Sequence, residues 1–262
     1  VAGCGELKIS EEEKTLSCGN LVLTEGDIIS VDGSSGCVYI GEIPTVLIEN
    51  NEDLQRLLFW ADKVARLKVR ANAETVKDLQ TAMNFGAQGV GLARTEHMFF
   101  GQDRILEMHR LILADKEAEM KAALKNLLEF QEEDFYQMYK TVEDKPLIVR
   151  LLDPPMHEFL PKEPQEIKLL AEKLSKSPEK LAHQIVSLQE SNPMLGHRGC
   201  RLGITQPNIY KMQTEAIFRS AIKLHQEGIK IKPEIMIPLI ADKKELEFVK
   251  SYLTQHIQYL FR

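Results

Sequence analysis

Four cysteines in 262 residues, Cys4, Cys18, Cys37 and Cys200, with no CxxC spacing among them, are too few and too scattered for a zinc site or a disulfide scaffold. They suit a reducing compartment, the cytoplasm or an organelle. No apolar run approaches the about 18 residues that a membrane helix needs. Excess positive charge is also lacking, with 33 Lys and Arg against 39 Asp and Glu and a net charge of −6, so no field that recruits nucleic acid or anionic lipid is expected. Any anion binding has to be local. Neither a Walker A sequence nor a GxGxxG is present, so no loop here holds a nucleotide unaided, and no HExxH supports a metal. The sequence opens neither on Met nor on a signal-peptide pattern, and the opening "VAGCGELKI" is expected to begin inside a domain.

Hydrophobic residues make up 44% and charged residues 27%, an ordinary balance for a chain that buries a sizeable core. Residues 1–41 are rich in β and turn signals, and Asp32 to Gly36 between two apolar stretches read as a hairpin loop. Pro44 marks a linker within 42–66, where helical patterns start near Asn51. From 67 to 262 short apolar strands alternate with amphipathic helices. One helix opens at Thr75 and stops at Gly86, a long helical region runs from about Gln102 to Val142, others flank Ser177, Pro207 opens another that Gly228 closes, and Leu246, Val249, Leu253 and Ile257 mark the last. Five strands are expected, at 67–72, 88–93, 147–152, 193–196 and 234–240. Repeated βα units of this kind build a parallel sheet, doubly wound or closed as a barrel. A closed eight-stranded barrel would need three more strands.

Three arginines stand at equivalent places: Arg94 closes "GVGLAR", Arg150 lies near the end of "LIVRLLD", and Arg198 follows "NPMLGH". Parallel α/β folds place ligands at the carboxyl ends of their strands, so three units would each aim a guanidinium at one rim. A planar fork of five donors suits carboxylate and phosphate oxygens, and the implied ligand is a small, multiply charged anion. Each arginine alone also suits an ordinary ion pair, Arg94 with Glu96 and Arg150 with Asp153 or Glu158; three at one topological position favour a site. His97, His157 and His197 flank the expected strand ends, where single histidines are more often structural hydrogen-bonding residues. Met98, Phe99 and Phe100 read as packing that fixes the strand's exit.

The blocks "GLARTEHMFF" (91–100), "VRLLDPPMHEFLP" (149–161), "NPMLGHRGCRLGIT" (192–205) and "PEIMIPL" (233–239) resemble, in order and spacing, the signature blocks of the pyruvate, phosphate dikinase family of PEP-utilising enzymes. "TEHMFF" and "DPPMHEFLP" separate it from enzyme I of the sugar phosphotransferase system and from PEP synthase, relatives that share the Arg-Thr-Glu core. The resemblance implies a partial TIM (β/α)8 barrel of about five βα units, preceded in 1–41 by the β-rich tail of a swivelling phosphohistidine domain.

It further implies a site for phosphoenolpyruvate and pyruvate with Mg²⁺. Arg94, Arg150 and Arg198 would be its catalytic and substrate-binding residues, with Asn192, His197 and Asp153 supporting them. The metal ligands and the proton-donating cysteine are expected beyond Arg262, Cys200 being a small core residue instead. The phosphohistidine and ATP-grasp domains are expected as missing partners, with a homodimer in the full-length protein. The segment alone is expected to be inactive; the alternatives are a PEP synthase or enzyme I type relative and, from another class, a non-catalytic binding module made from the truncated barrel.

Overall fold

The computed structural model describes residues 5–45 and 52–261. Residues 1–4, where the expected tail opens, and the expected limits at Asn51 and Arg262 lie outside the described residues. The chain divides into two compact units, Val1–Val64 and Ala65–Arg262.

In the first unit, β1 (Lys8–Ser10), β2 (Thr15–Cys18) and β3 (Leu21–Thr24) form an antiparallel meander. A separate hairpin pairs β4 (Ile29–Val31) with β5 (Val38–Ile40). Its loop is the expected one: the Asp32 carboxylate accepts from the Ser34 amide at 2.9 Å and the Ser35 hydroxyl at 2.6 Å, an Asx turn. Those bonds, the Ser35 hydroxyl first, hold the Asp32 carboxyl below its usual range. Helix α1 (Glu52–Val64) has no buried residue.

The second unit is built on a parallel sheet of β6 (Ala71–Asn72), β7 (Val90–Arg94), β8 (Pro146–Arg150) and β9 (Lys232–Met236), whose spatial order follows the chain. Helix α2 (Val76–Asn84) starts at Thr75 through a capping box with Asp78, and Gly86 follows at φ +83°. The long helical region is two helices, α3 (Gln102–Ile112) and α4 (Glu117–Val142). Between β8 and β9 come α5 (Pro164–Leu174), α6 (Pro178–Leu188) capped by Ser177, α7 (Cys200–Thr205) and α8 (Pro207–Gln226); α9 (Lys243–Leu260) follows β9.

One expected strand is not there. Residues 193–196 form a turn, because Pro193 has no N–H for a ladder and Asn192 Oδ1 accepts from the Met194 amide at 3.0 Å, while the Leu195 amide closes onto the Asn192 carbonyl at 3.2 Å. Among the described residues the parallel sheet therefore has four strands rather than five, and β8 pairs directly with β9. The outer strands are also shorter than expected, since 67–70 stay outside β6 and 237–240 turn away after Met236.

The main core joins the sheet to α2, α3, α4, α8 and α9 through Val90, Ala93, Leu147 and Val149 on the strands and Leu79, Met108, Leu127, Phe135, Tyr139 and Ile217 on the helices. A second, smaller core of Leu113, Leu160, Leu170, Ala171, Leu181 and Ile185 seats α5 and α6. Close packing of the sheet explains Gly89: a Cβ there would lie 2.8 Å from the Pro146 carbonyl oxygen.

Candidate functional site

Strand alternation sets the site. Along β8, Leu147 and Val149 are fully buried against the helices, so Ile148 and Arg150 take the other side of the sheet. Arg94 ends β7 and Arg150 ends β8, and the two are direct partners in the parallel register. Both guanidiniums thus leave neighbouring strands at the carboxyl rim.

Arg198 reaches the rim without a strand of its own. Its loop is stapled by two backbone hydrogen bonds, Gly199 N–H to the Asp153 carbonyl at 2.9 Å and Cys200 N–H to the Pro238 carbonyl at 3.0 Å. Gly199 has φ +58°, and a Cβ would come within 2.9 Å of Leu239 Cβ and 3.1 Å of the Pro238 oxygen. Only glycine meets both demands.

Each arginine is met by a carboxylate. Arg94 Nε lies 3.3 Å from Glu74 Oε1, in the segment after β6. Arg150 donates through Nη2 to Glu96 Oε1 and pairs through Nη1 with Asp153 Oδ2 at 3.1 Å. Arg198 Nη2 donates to the same Asp153 oxygen at 2.9 Å. The expected pairing of Arg94 with Glu96 is not formed, since Glu96 turns to the next strand's arginine, and Glu158 is exposed. Asp153 and Glu96 are 4% and 7% exposed, so these are largely desolvated ion pairs. In such pairs, removing one partner strands a buried charge at a cost of about 3–5 kcal/mol.

Several buried polar atoms here have no partner: Thr95 Oγ1, Glu96 Oε2, Asp153 Oδ1, Arg150 Nε and Arg198 Nε. Buried polar groups are normally satisfied, so donors and acceptors left over at one place suit a ligand or ordered water.

The loop carrying Asp153 is held from below by α8, which sequence reasoning did not single out. Gln213 Oε1 accepts from the Leu152 amide at 2.8 Å and the Tyr210 hydroxyl donates to the Leu152 carbonyl at 2.9 Å. Burial, first, and neighbouring charges push the Tyr210 hydroxyl well above its usual range, so it remains a donor. Gly203 makes room for that ring, since a Cβ there would be 2.4 Å from Tyr210 Cε2. Glu74 was missed as well; its only signal was a carboxylate two residues past the first strand.

Asn192 and His197, expected as supporting residues, lie on the loop that carries Arg198 and are exposed. Asn192 caps its own turn, while His197 Nε2 is 2.6 Å from Thr205 Oγ1 and its amide donates to Glu190 Oε1 at 2.8 Å. Their hydrogen bonds stay within that segment. His97 is exposed and edge-on to Phe100 at 6.2 Å, and His157 follows β8 with Nδ1 buried and unpartnered. Met98 and Phe99 are buried, and Phe100 stacks on Phe159 at 5.6 Å, which ties the loop after β7 to the loop after β8. Cys200 is buried, and its thiol is pushed up by burial first and by the Glu245 carboxylate second, the wrong direction for a nucleophile.

Among the described residues no three His, Cys, Asp or Glu side chains gather so as to hold a metal ion. Glu74, Glu96 and Asp153 face arginines instead. Among the described residues no helix is long and apolar enough to cross a membrane.

Comparison with known proteins shows the family of the chain. The model of the PEP-utilising enzyme, PEP-binding domain, matches residues 49–261. A pyruvate, phosphate dikinase from Clostridium symbiosum is 48% identical over 97% of this chain and 29% of its own length. That from Rhizobium meliloti is 45% identical over 96% of this chain and 28% of its own length, and that from Giardia intestinalis 43% identical over 100% and 30%. The chain thus spans less than a third of the curated relatives it matches.

Proposed function

Because this chain belongs to the PEP-utilising enzymes and carries their PEP-binding domain, we propose that its arginine rim binds phosphoenolpyruvate and pyruvate. The complete protein is a pyruvate, phosphate dikinase, which converts ATP, phosphate and pyruvate to AMP, pyrophosphate and phosphoenolpyruvate, and the reverse. The observation that carries this reading is the convergence of Arg94, Arg150 and Arg198 at one rim, from two strand ends and a stapled loop.

Arg94 and Arg150 stand side by side and can span the carboxylate and phosphoryl oxygens of one small ligand, with Arg198 approaching from the third side. As the phosphoryl group passes between the enolate oxygen and a histidine of the swivelling domain, negative charge moves between these oxygens. Fixed guanidiniums offset it at both ends of the transfer. The side chains of this chain bind, orient and balance charge.

Mg²⁺ belongs to the proposal for the complete protein, by resemblance. The described residues do not fit it, and no step above runs through it. The phosphohistidine and ATP-grasp domains and a homodimer enter on the same footing, as does an assignment of residues 1–41 to the tail of the swivelling domain. A partial (β/α)8 barrel is proposed for residues 67–262; what supports it is that the four parallel strands follow chain order without a switch point, which a doubly wound sheet would have.

Titration of phosphoenolpyruvate against the complete protein and its Arg150→Ala variant tests the site. Affinity and turnover should both collapse in the variant. Unchanged values would overturn the assignment.

A further inference from the structure

The three carboxylates at the rim follow a rule that neither the motif blocks nor the arginines alone contain. Glu74 lies two residues past the end of β6 and faces the arginine that ends β7. Glu96 lies two residues past the end of β7 and holds the arginine that ends β8. Asp153 lies three residues past the end of β8 and holds Arg198, the arginine of the following unit, while also touching Arg150. The segment after each strand supplies the counter-charge for the cation of the next.

The spacing has a physical cause. Arg94 and Arg150 are register partners on adjacent parallel strands, whose backbones run roughly 4.8 Å apart. Two guanidiniums leaving such positions repel each other. Alternating the signs along the rim lets three cations stand together, and it leaves three guanidiniums facing three carboxylates with no net formal charge.

We propose that Glu96 is a positioning residue for Arg150 and also moderates its attraction for anions. Glu96 is nine-tenths buried, takes the Nη2 edge of Arg150 through one oxygen, and keeps its other oxygen buried without a partner. Asp153 takes the Nη1 edge, and Nε is unpartnered. The fork is thus gripped from both sides, and an incoming phosphoryl oxygen has to share or displace a carboxylate. Without the Glu96 charge, Arg150 would bind phosphate more tightly and hold it in a less defined direction. This inference rests on the reading of the rim as a phosphoenolpyruvate site.

The test compares Glu96→Gln, Glu96→Asp and Arg150→Ala in the complete protein, with inorganic phosphate as the binding probe, scored by its displacement of phosphoenolpyruvate so that phosphate taken up with ATP elsewhere is not counted, and steady-state turnover of phosphoenolpyruvate as the second readout. Glu96→Gln should bind phosphate about 5- to 10-fold more tightly and lose about 10-fold or more in kcat without a rise in KM. Glu96→Asp, which keeps the charge on a shorter arm, should return phosphate affinity to that of the unaltered protein while kcat stays low. A merely structural role would weaken phosphate binding and raise KM together, and that result, or an unchanged kcat, overturns the proposal. Should Glu96→Gln fail to fold, Glu96→Asp decides alone: reduced kcat at unaltered phosphate affinity supports it, and unaltered kcat overturns it. Arg150→Ala separates the two readings. If it leaves phosphate and phosphoenolpyruvate binding intact, the site itself is wrong; if it abolishes binding while Glu96→Gln behaves as unaltered, only the positioning role falls.

Discussion

Val90, Ala93, Leu147 and Val149 leave β7 and β8 on the helix side and are fully buried in an apolar core, whereas Arg94 and Arg150 end the same strands on the other side and stay partly open among carboxylates. The helix side is made of side chains that gain from leaving water. The rim gathers charges that lose hydration and recover it only through one another, and it leaves five buried polar atoms of Thr95, Glu96, Asp153, Arg150 and Arg198 without partners. One side of the sheet stabilises the fold, and the other spends part of that stability on holding a charged site open.

The sharpest way to break this contrast is at Asp153, which serves two arginines. Asp153→Ala should destabilise the chain by about 3–5 kcal/mol in urea denaturation, because two largely buried guanidiniums lose a partner. A loss under 1 kcal/mol would mean that the pairs are far better hydrated than their burial implies. On the opposite side, Leu147→Ala should cost about 2–5 kcal/mol through the cavity it leaves. Corrected for the folded fraction, its phosphoenolpyruvate affinity should stay unchanged; a specific loss of affinity would show that the two sides are coupled.

Gly199→Ala tests the staple between them. The left-handed backbone and the approach to Leu239 and Pro238 predict a loss of about 1–3 kcal/mol, with Arg198 displaced and ligand affinity reduced even in the folded fraction. Thr75→Ala removes only the cap of α2 and should cost about 1 kcal/mol with the site intact.

The smallest effect expected is one of pH. His109 donates Nε2–H to the Phe159 carbonyl at 2.7 Å, and burial, opposed by that bond and aided by Lys173, lowers its pKa below the usual 6.5. The unfolded chain therefore binds the proton more readily, so this contribution to stability is present above pH 6.5 and is lost as the pH falls below that value toward the folded pKa. Melting curves from pH 7.5 down to 5 should show the slope in the unaltered chain and a flatter one in His109→Gln. Equal slopes would refute it.

Much of this was legible in local patterns. The Asp32 hairpin, the Thr75 and Ser177 caps, Pro207 at the start of α8 and Gly228 after its end all act through neighbours a few residues away, and all are where residue chemistry puts them. The strand at 193–196 was misread because an apolar Pro-Met-Leu run looks like a buried strand, while the Asn192 side chain and the missing Pro193 N–H favour a turn. Glu74, Tyr210 and Gln213 gave no usable signal, since each acts on a residue 20 or more positions away.

The amino-acid order by itself determined that Arg94 and Arg150 would stand at or near the ends of two strands, because alternation along a strand and the βα repeat depend only on spacing of two and on helix periodicity. Only the tertiary structure decided which carboxylate each arginine faces, and that Arg198 joins them through two backbone hydrogen bonds instead of a strand. Partners across separate loops are chosen by strand register and by the close approach that Gly199 permits, and neither exists until the sheet has formed.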